Sequence, residues 1–308
     1  GWLAHEAPAV LQALRQADAC SRRRLGFGNA LAAPYHHVIL PLASPRDRRT
    51  EIRWGIHDFR RRFGRDPEGM WLPETAVDRA TLEALAAEGI AFTVLAPHQV
   101  DPLPPGGAAG RVQLDGGRSI AVFTYDGALS HGVAFGAVLN DARRWVEGVE
   151  QVARELGRTL VALATDGETF GHHHIWGDLA LGAALERIDA HAALRLDNFA
   201  ALLHRSPARH DVEVVEHTSW SCSHGIERWR SDCGCRARAH GPGDQRWRAP
   251  LREGLDELAR AIHERFAAEM GDIFDDPWAL RDAWVEMTGH PEGQRRRCPS
   301  GGPVIATQ

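Results

Sequence analysis

Two carboxylates stand at the ends of apolar runs: Glu74 closes GMWLPE, and Asp166 follows TLVALAT. Cleaving an acetal such as the bond between two sugars needs such a pair. One carboxyl protonates the departing oxygen, and the other stabilises or captures the cationic carbon; where it captures, the two lie about 5–5.5 Å apart. Trp71, three residues before Glu74, adds an aromatic face of the kind that stacks on a sugar ring. Each residue taken singly also has an ordinary reading. A Glu after Pro serves in loops and helix caps, and DGE is common in turns.

The elements that must position these groups alternate. Ile52, Ile56, Phe59 and Phe63 form one helical stripe, the short buried run GMWLPE follows, and DRATLEALAAEGI reads as a helix ending at Gly89. AFTVLAPHQV, RSIAVFTYDG and TLVALATDGE are further strand-like runs; before the last, Val138, Trp145, Val149, Val152 and Leu156 mark a helix. All the runs turn polar at their ends: PE, PHQ, YDG, TDGE. The C-terminal ends of parallel strands are where barrel and open α/β enzymes carry their chemistry.

After about residue 205 the pattern changes. DVEVVEHTSW leads into a long loop, and a helix begins near Pro250 with Leu251, Leu255, Leu258, Ile262 and Phe266 on one face. DPWALRDAWVEM gives a last helix capped by Asp275 or Asp276. The expected division is 1–205 for a partial barrel, 206–288 for a loop and helical region closing the site, and 289–308 for an irregular tail.

Composition excludes several classes. The chain has 308 residues, 44% hydrophobic and 25% charged, with a net charge of −5; all 36 basic residues are Arg. That balance offers nucleic acid no basic surface. No stretch approaches the roughly 18 apolar residues of a membrane span, and the start lacks the basic and apolar regions of a signal peptide. A cytoplasmic protein is expected. The chain opens without Met and directly in helical periodicity, which reads as a fragment lacking its N-terminal segment.

In three stretches the sequence resembles the family 57 glycoside hydrolases, which act mainly on α-glucans by a retaining mechanism. GNALAAPYHHVILPL (28–42) resembles the family's second motif, GMWLPETAVD (69–78) its third, and LATDGETFGHHHIWGD (163–178) its fourth. TSWSCSHGIERW (218–229) is a looser match to a loop of the helical region. The resemblance runs to about residue 285 and looks closest to bacterial homologues carrying a C-terminal domain of unknown function. It implies an incomplete (β/α)7 TIM-like barrel, its N-terminal strand missing, followed by an α-helical region. It makes Glu74 the nucleophile and Asp166 the general acid/base, with an oligo- or polysaccharide as substrate and hydrolysis or transglycosylation as outcome. His37 falls on the second motif, and one of His172 to His174, with His172 the first candidate, is implied at the substrate or the carboxylates. Asn29 stands where the family usually has Glu, and the first motif has no counterpart.

His98, Asp126 and Glu168 are further candidates for orienting sugar hydroxyls, and Trp220 and Trp229 for sugar platforms. Cys222, His224, Cys233 and Cys235 have the right donor types for a zinc site, but C-x-H and C-x-C are tighter than the usual C-x2–4-C. A reduced loop cluster or a redox-sensitive pair explains them equally, so no metal or cofactor is expected. The alternatives to a glycosidase are a metal-dependent polysaccharide deacetylase, which needs convergent His and Asp ligands, and a non-catalytic carbohydrate-binding relic.

Overall fold

The computed structural model describes residues 2–155, 157–235 and 244–288. The expected tail, Leu156 at the end of its helix, and Cys298 lie outside them. Helices α1 (Trp2–Glu6), α2 (Pro8–Leu25), α3 (Pro45–Phe63) and α4 (Arg79–Ala87) precede strands β1 (Phe92–Leu95), β2 (Val100–Asp101), β3 (Gly110–Gln113) and β4 (Ser119–Thr124). Then come α5 (Gly127–Phe135), α6 (Ala142–Glu155), α7 (Gly177–Asp189), α8 (Phe199–Arg205), β5 (His210–Asp211), β6 (Glu213–Val214), α9 (Arg248–Gly271) and α10 (Pro277–Thr288). No helix among the described residues is long and apolar enough to cross a membrane.

The centre is an unclosed barrel-like sheet. Ala32 bridges Met70 and Gly69 bridges Phe92, both in parallel, and β1 runs parallel to β4 with Phe92 opposite Ala121 and Leu95 opposite Thr124. Their C-terminal ends therefore share one rim, which carries Glu74, His98 and Tyr125. Burial on both faces explains the continuous apolar runs. Alternate side chains serve different cores: Phe92, Val94 and Ala96 face inward with Phe123, Tyr125 and Ala162, whereas Leu95, Ile120 and Val122 pack against Ile52, Ile56 and Phe59 of α3 and Leu82 and Leu85 of α4.

The fourth expected run, TLVALATDGE, is not a regular strand. β3 pairs antiparallel with β4 over Ser119–Val122 and so occupies that part of the β4 edge. Only the end of β4 remains for the run, where the Asp126 N–H donates to the Ala162 carbonyl at 2.7 Å. The sheet order is β1-β4-β3-β5, with β2 and β6 paired separately.

A buried ion pair ties α2 to the sheet's first bridging segment. Arg65 lies 2.8 Å from Asp18 with both side chains almost fully covered, and the Ala30 N–H donates to Asp18 as well. Burial pushes the Asp18 carboxyl up, but Arg65 and the backbone donors outweigh it and hold it below its ordinary value.

At the other end, α10 packs on α3. Asp282 accepts from Thr50 and Arg53, the Trp54 indole donates to the Asp282 carbonyl, and Trp54 and Trp284 lie 5.4 Å apart. Asp276 is the cap of α10, accepting from Trp278 and Ala279. The apolar stripe of α9 is less covered than its periodicity suggests. Leu251, Leu255, Leu258 and Ile262 are 51%, 46%, 56% and 55% exposed, and of the expected face Phe266 meets Trp278.

Candidate active site

Glu74 sits in an unusual backbone turn. It has φ 57° and ψ 17°, and Thr75 follows with φ 48°. The left-handed region is rare for any side chain and strained for a β-branched one. Gln99, fully buried, holds the turn. Its carbonyl accepts from the Thr75 hydroxyl at 2.8 Å and the Ala96 N–H at 2.9 Å. Its amide donates to the Thr75 carbonyl at 2.8 Å and the Thr218 hydroxyl at 3.2 Å. All four bonds of this amide are made inside the protein, so the turn is clamped rather than solvated.

The loop after β6 completes the clamp. The Trp220 backbone N–H donates to the Glu74 carbonyl at 3.1 Å and to the Thr75 hydroxyl at 2.9 Å. The Trp220 indole N–H donates to Glu74 Oε2 at 3.2 Å, while His37 Nε2 lies 3.7 Å from Oε1, at ion-pair rather than hydrogen-bond range. Trp71 meets the Trp220 ring edge-on at 5.1 Å, and Tyr125 meets it at 6.2 Å. His98 donates to the Ser219 carbonyl at 3.1 Å, fixing the same loop from β1's end. Burial pushes the Tyr125 phenol up to about 12, so it stays neutral and able to donate at neutral pH.

The remaining expected residues make no side-chain bond to Glu74 or Trp220 among the described residues. Asp166 begins a single 3-10 turn over Gly167–Thr169 and is exposed, with no side-chain cap bond. Glu168 and His172 are exposed on the same loop; the Glu168 carbonyl accepts from His172 and His173, and His174 donates to the Ala134 carbonyl at 2.9 Å, anchoring the loop to α5. Among the described residues no side-chain bond joins Asp166, Glu168 or His172 to Glu74. Asp126 is engaged twice, capping α5 through Leu129 and pairing with Arg158 at 2.7 Å. Asn29 is exposed, and its backbone N–H serves Asp18. Gln99, Thr75 and Tyr125 were not among the expected site residues. The polar ends PHQ and YDG hold two of them, but neither sequence distinguishes a buried clamp from a rim residue.

A cavity of about 880 Å³ lies beside this rim, lined by Leu31, Trp71, Val94, Trp145, Thr165 and Leu181 among others. Its walls are largely apolar, and neither Glu74 nor Asp166 lines it. Through Trp71 and Thr165 it does border both carboxylate-bearing segments. Asp78, Glu216 and His217 also lie together; Asp78 accepts from the Thr81 N–H and Glu216 from the Arg79 N–H, so the two carboxylates serve as helix caps.

Residues 7–209 match the family model Glycosyl hydrolase family 57, and residues 244–297 match a domain of unknown function, DUF3536. No curated protein matches the chain. Among solved structures, an exo-type maltose-forming amylase from Pyrococcus sp. ST04 aligns with a TM-score of 0.72 at 15% identity, over 90% of this chain and 57% of its own. A 4-alpha-glucanotransferase from Thermococcus litoralis aligns at 0.59 and 20% identity, over 71% and 34%. A branching enzyme from Thermococcus kodakaraensis aligns at 0.58 and 20%, over 74% and 55%. At such identities the likeness is one of fold. The chain spans between a third and somewhat over half the length of these proteins.

Proposed function

Because the chain belongs to glycosyl hydrolase family 57, we propose that it acts on an α-glucan-like polysaccharide, with Glu74 as nucleophile and Asp166 as general acid/base. The observation that carries the reading is the grip on Glu74, whose backbone and carboxylate are both held by Trp220. A nucleophile is useful only in a fixed orientation, and a strained turn stabilised by a buried amide is an arrangement that solvated loop glutamates lack. The amylase, glucanotransferase and branching enzyme of similar fold support the substrate class.

In this reading a Glu74 oxygen attacks the anomeric carbon as Asp166 gives its proton to the leaving glycosidic oxygen. The bond to that oxygen breaks and a glycosyl ester forms on Glu74. Asp166, now a carboxylate, takes a proton from water or from an acceptor sugar hydroxyl, which attacks the same carbon and frees Glu74. Trp71 and Trp220 offer aromatic walls, and the neutral Tyr125 phenol and His37 offer hydrogen bonds to sugar hydroxyls. Residues 1–205 supply the barrel, and 206–288 the loop and helices beside it.

The test is an α-glucan assay of the full chain beside Glu74→Gln and Asp166→Asn. Asp166→Asn is expected to lose about 10²–10⁴-fold in kcat, the range of one general acid or base, and Glu74→Gln, which removes the attacking oxygen altogether, at least as much. With the Glu74→Gln lesion no glycosyl ester accumulates on the protein. Full activity in both variants would remove the assignment.

A further inference from the structure

We propose that Cys222, His224, Cys233 and Cys235 form a closed, structural zinc site. The four donor atoms lie within 4.8 Å of one another. Cys222 Sγ is 3.6 Å from Cys235 Sγ, 3.9 Å from Cys233 Sγ and 3.8 Å from His224 Nδ1, and His224 Nδ1 is 3.3 Å from Cys235 Sγ. A zinc ion with zinc–sulfur bonds of about 2.3 Å and zinc–nitrogen bonds of about 2.05 Å sets tetrahedron edges of about 3.8 Å between sulfurs and about 3.6 Å from sulfur to nitrogen. The measured edges straddle those lengths. A disulfide, at about 2.05 Å, fits none of them.

The tight spacings are solved by backbone turns. Gly234, between Cys233 and Cys235, has φ 79°, so residues that would point to opposite sides of an extended chain turn to the same point. Gly225, next to His224, has φ 62°, and a Cβ there would stand 1.9 Å from the His217 carbonyl. The surroundings match what a thiolate site needs. The His224 backbone N–H donates to Cys222 Sγ at 3.4 Å, and Arg248 Nη1 lies 3.8 Å from Cys233 Sγ. Three thiolates and a neutral imidazole around Zn²⁺ carry a net negative charge, which Arg248 offsets; groups of this kind orient and tune metal ligands.

Four protein donors leave no position for water, so this ion holds structure and performs no hydrolysis. What it holds is the stretch from Cys222 to Cys235, which begins two residues after Trp220. This inference does not depend on the role of Glu74. The loop is fastened in either case.

The decisive measurement is the metal content of the full chain purified under reducing conditions from zinc-supplemented cells. About one zinc per chain is expected, released by a thiol-blocking mercurial and replaceable by cobalt with the visible spectrum of a tetrahedral thiolate site. Cys235→Ser is expected to lower zinc content about tenfold or more, whereas Cys20→Ser, at an exposed cysteine outside the cluster, leaves it unchanged. If Cys235→Ser does not fold, the mercurial titration of the unaltered protein decides. A chain that lacks zinc and also fails to take it up after reduction overturns the proposal. So does zinc that survives thiol blocking, or a disulfide within the cluster in the protein as purified.

Discussion

The Trp220 indole N–H donates to Oε2 of Glu74 at 3.2 Å, while its backbone N–H donates to the Glu74 carbonyl. One loop residue thus fixes both ends of the proposed nucleophile, although the two are 146 positions apart in the chain. The orientation of the carboxylate is set from outside its own turn.

Trp220→Phe isolates that contact, since it keeps an aromatic ring against Trp71 and removes the indole donor. A hydrogen bond to a charged group contributes roughly 1.5–3 kcal/mol, so kcat on an α-glucan is expected to fall about tenfold or more. The backbone bonds remain, and the melting temperature should move by only a few degrees. Steady-state kinetics beside a thermal melt separate the two effects. An unchanged kcat would leave Trp220 with a packing role alone.

Gln99→Leu tests the clamp beneath. The substitution keeps the volume but leaves the Thr75 carbonyl and hydroxyl, the Ala96 N–H and the Thr218 hydroxyl without their buried partner. Unpaired buried polar groups cost about 1–3 kcal/mol each and relax in part, so a loss of about 3–5 kcal/mol is expected in denaturant unfolding. Activity should fall in the fraction that stays folded, because the strained turn at Glu74 loses its restraint. A variant that melts with the parent would show that Gln99 is not the restraint.

The unclosed barrel and the helices around it were largely legible, for a definite reason. Ile52, Ile56 and Phe59 repeat at helical spacing because α3 lays one face on the sheet, and they are buried there. Phe92 to Leu95 read as a strand because both faces are covered. Periodicity reports that a face is apolar and not what lies against it, so Leu251, Leu255, Leu258 and Ile262 looked like core residues and are half exposed. TLVALATDGE carries strand composition, but the edge it would join is taken by β3, and edge occupancy is a nonlocal fact. Of the residues expected at the site, Glu74 touches Trp220, His37 lies 3.7 Å from Glu74, and Trp71 packs on Trp220. Gln99 is not among them, since a buried clamp and an exposed rim residue have the same letter. The cysteine cluster stayed ambiguous for a similar reason: spacing is counted along the chain, whereas Gly234 bends it.

Tyr125 gives the pH prediction. Its folded-state value is raised to about 12 by burial, against an ordinary value of 10.0. The folded protein therefore keeps the phenolic proton where the unfolded chain has released it. Between those values the unfolded state binds fewer protons, so stability falls as pH rises; below pH 10 this group contributes no slope. The difference corresponds to about 2–3 kcal/mol lost across that interval. Denaturant unfolding of the parent and of Tyr125→Phe, compared from pH 9 to pH 12, should diverge only above the ordinary value, with the variant losing less. The ultraviolet phenolate titration provides an independent check: the step that Tyr125→Phe removes should lie above the ordinary value. If the step removed lies at the ordinary value, or if the two stability curves run parallel, Tyr125 is open to solvent. It would then titrate freely instead of standing as a neutral donor beside Trp220.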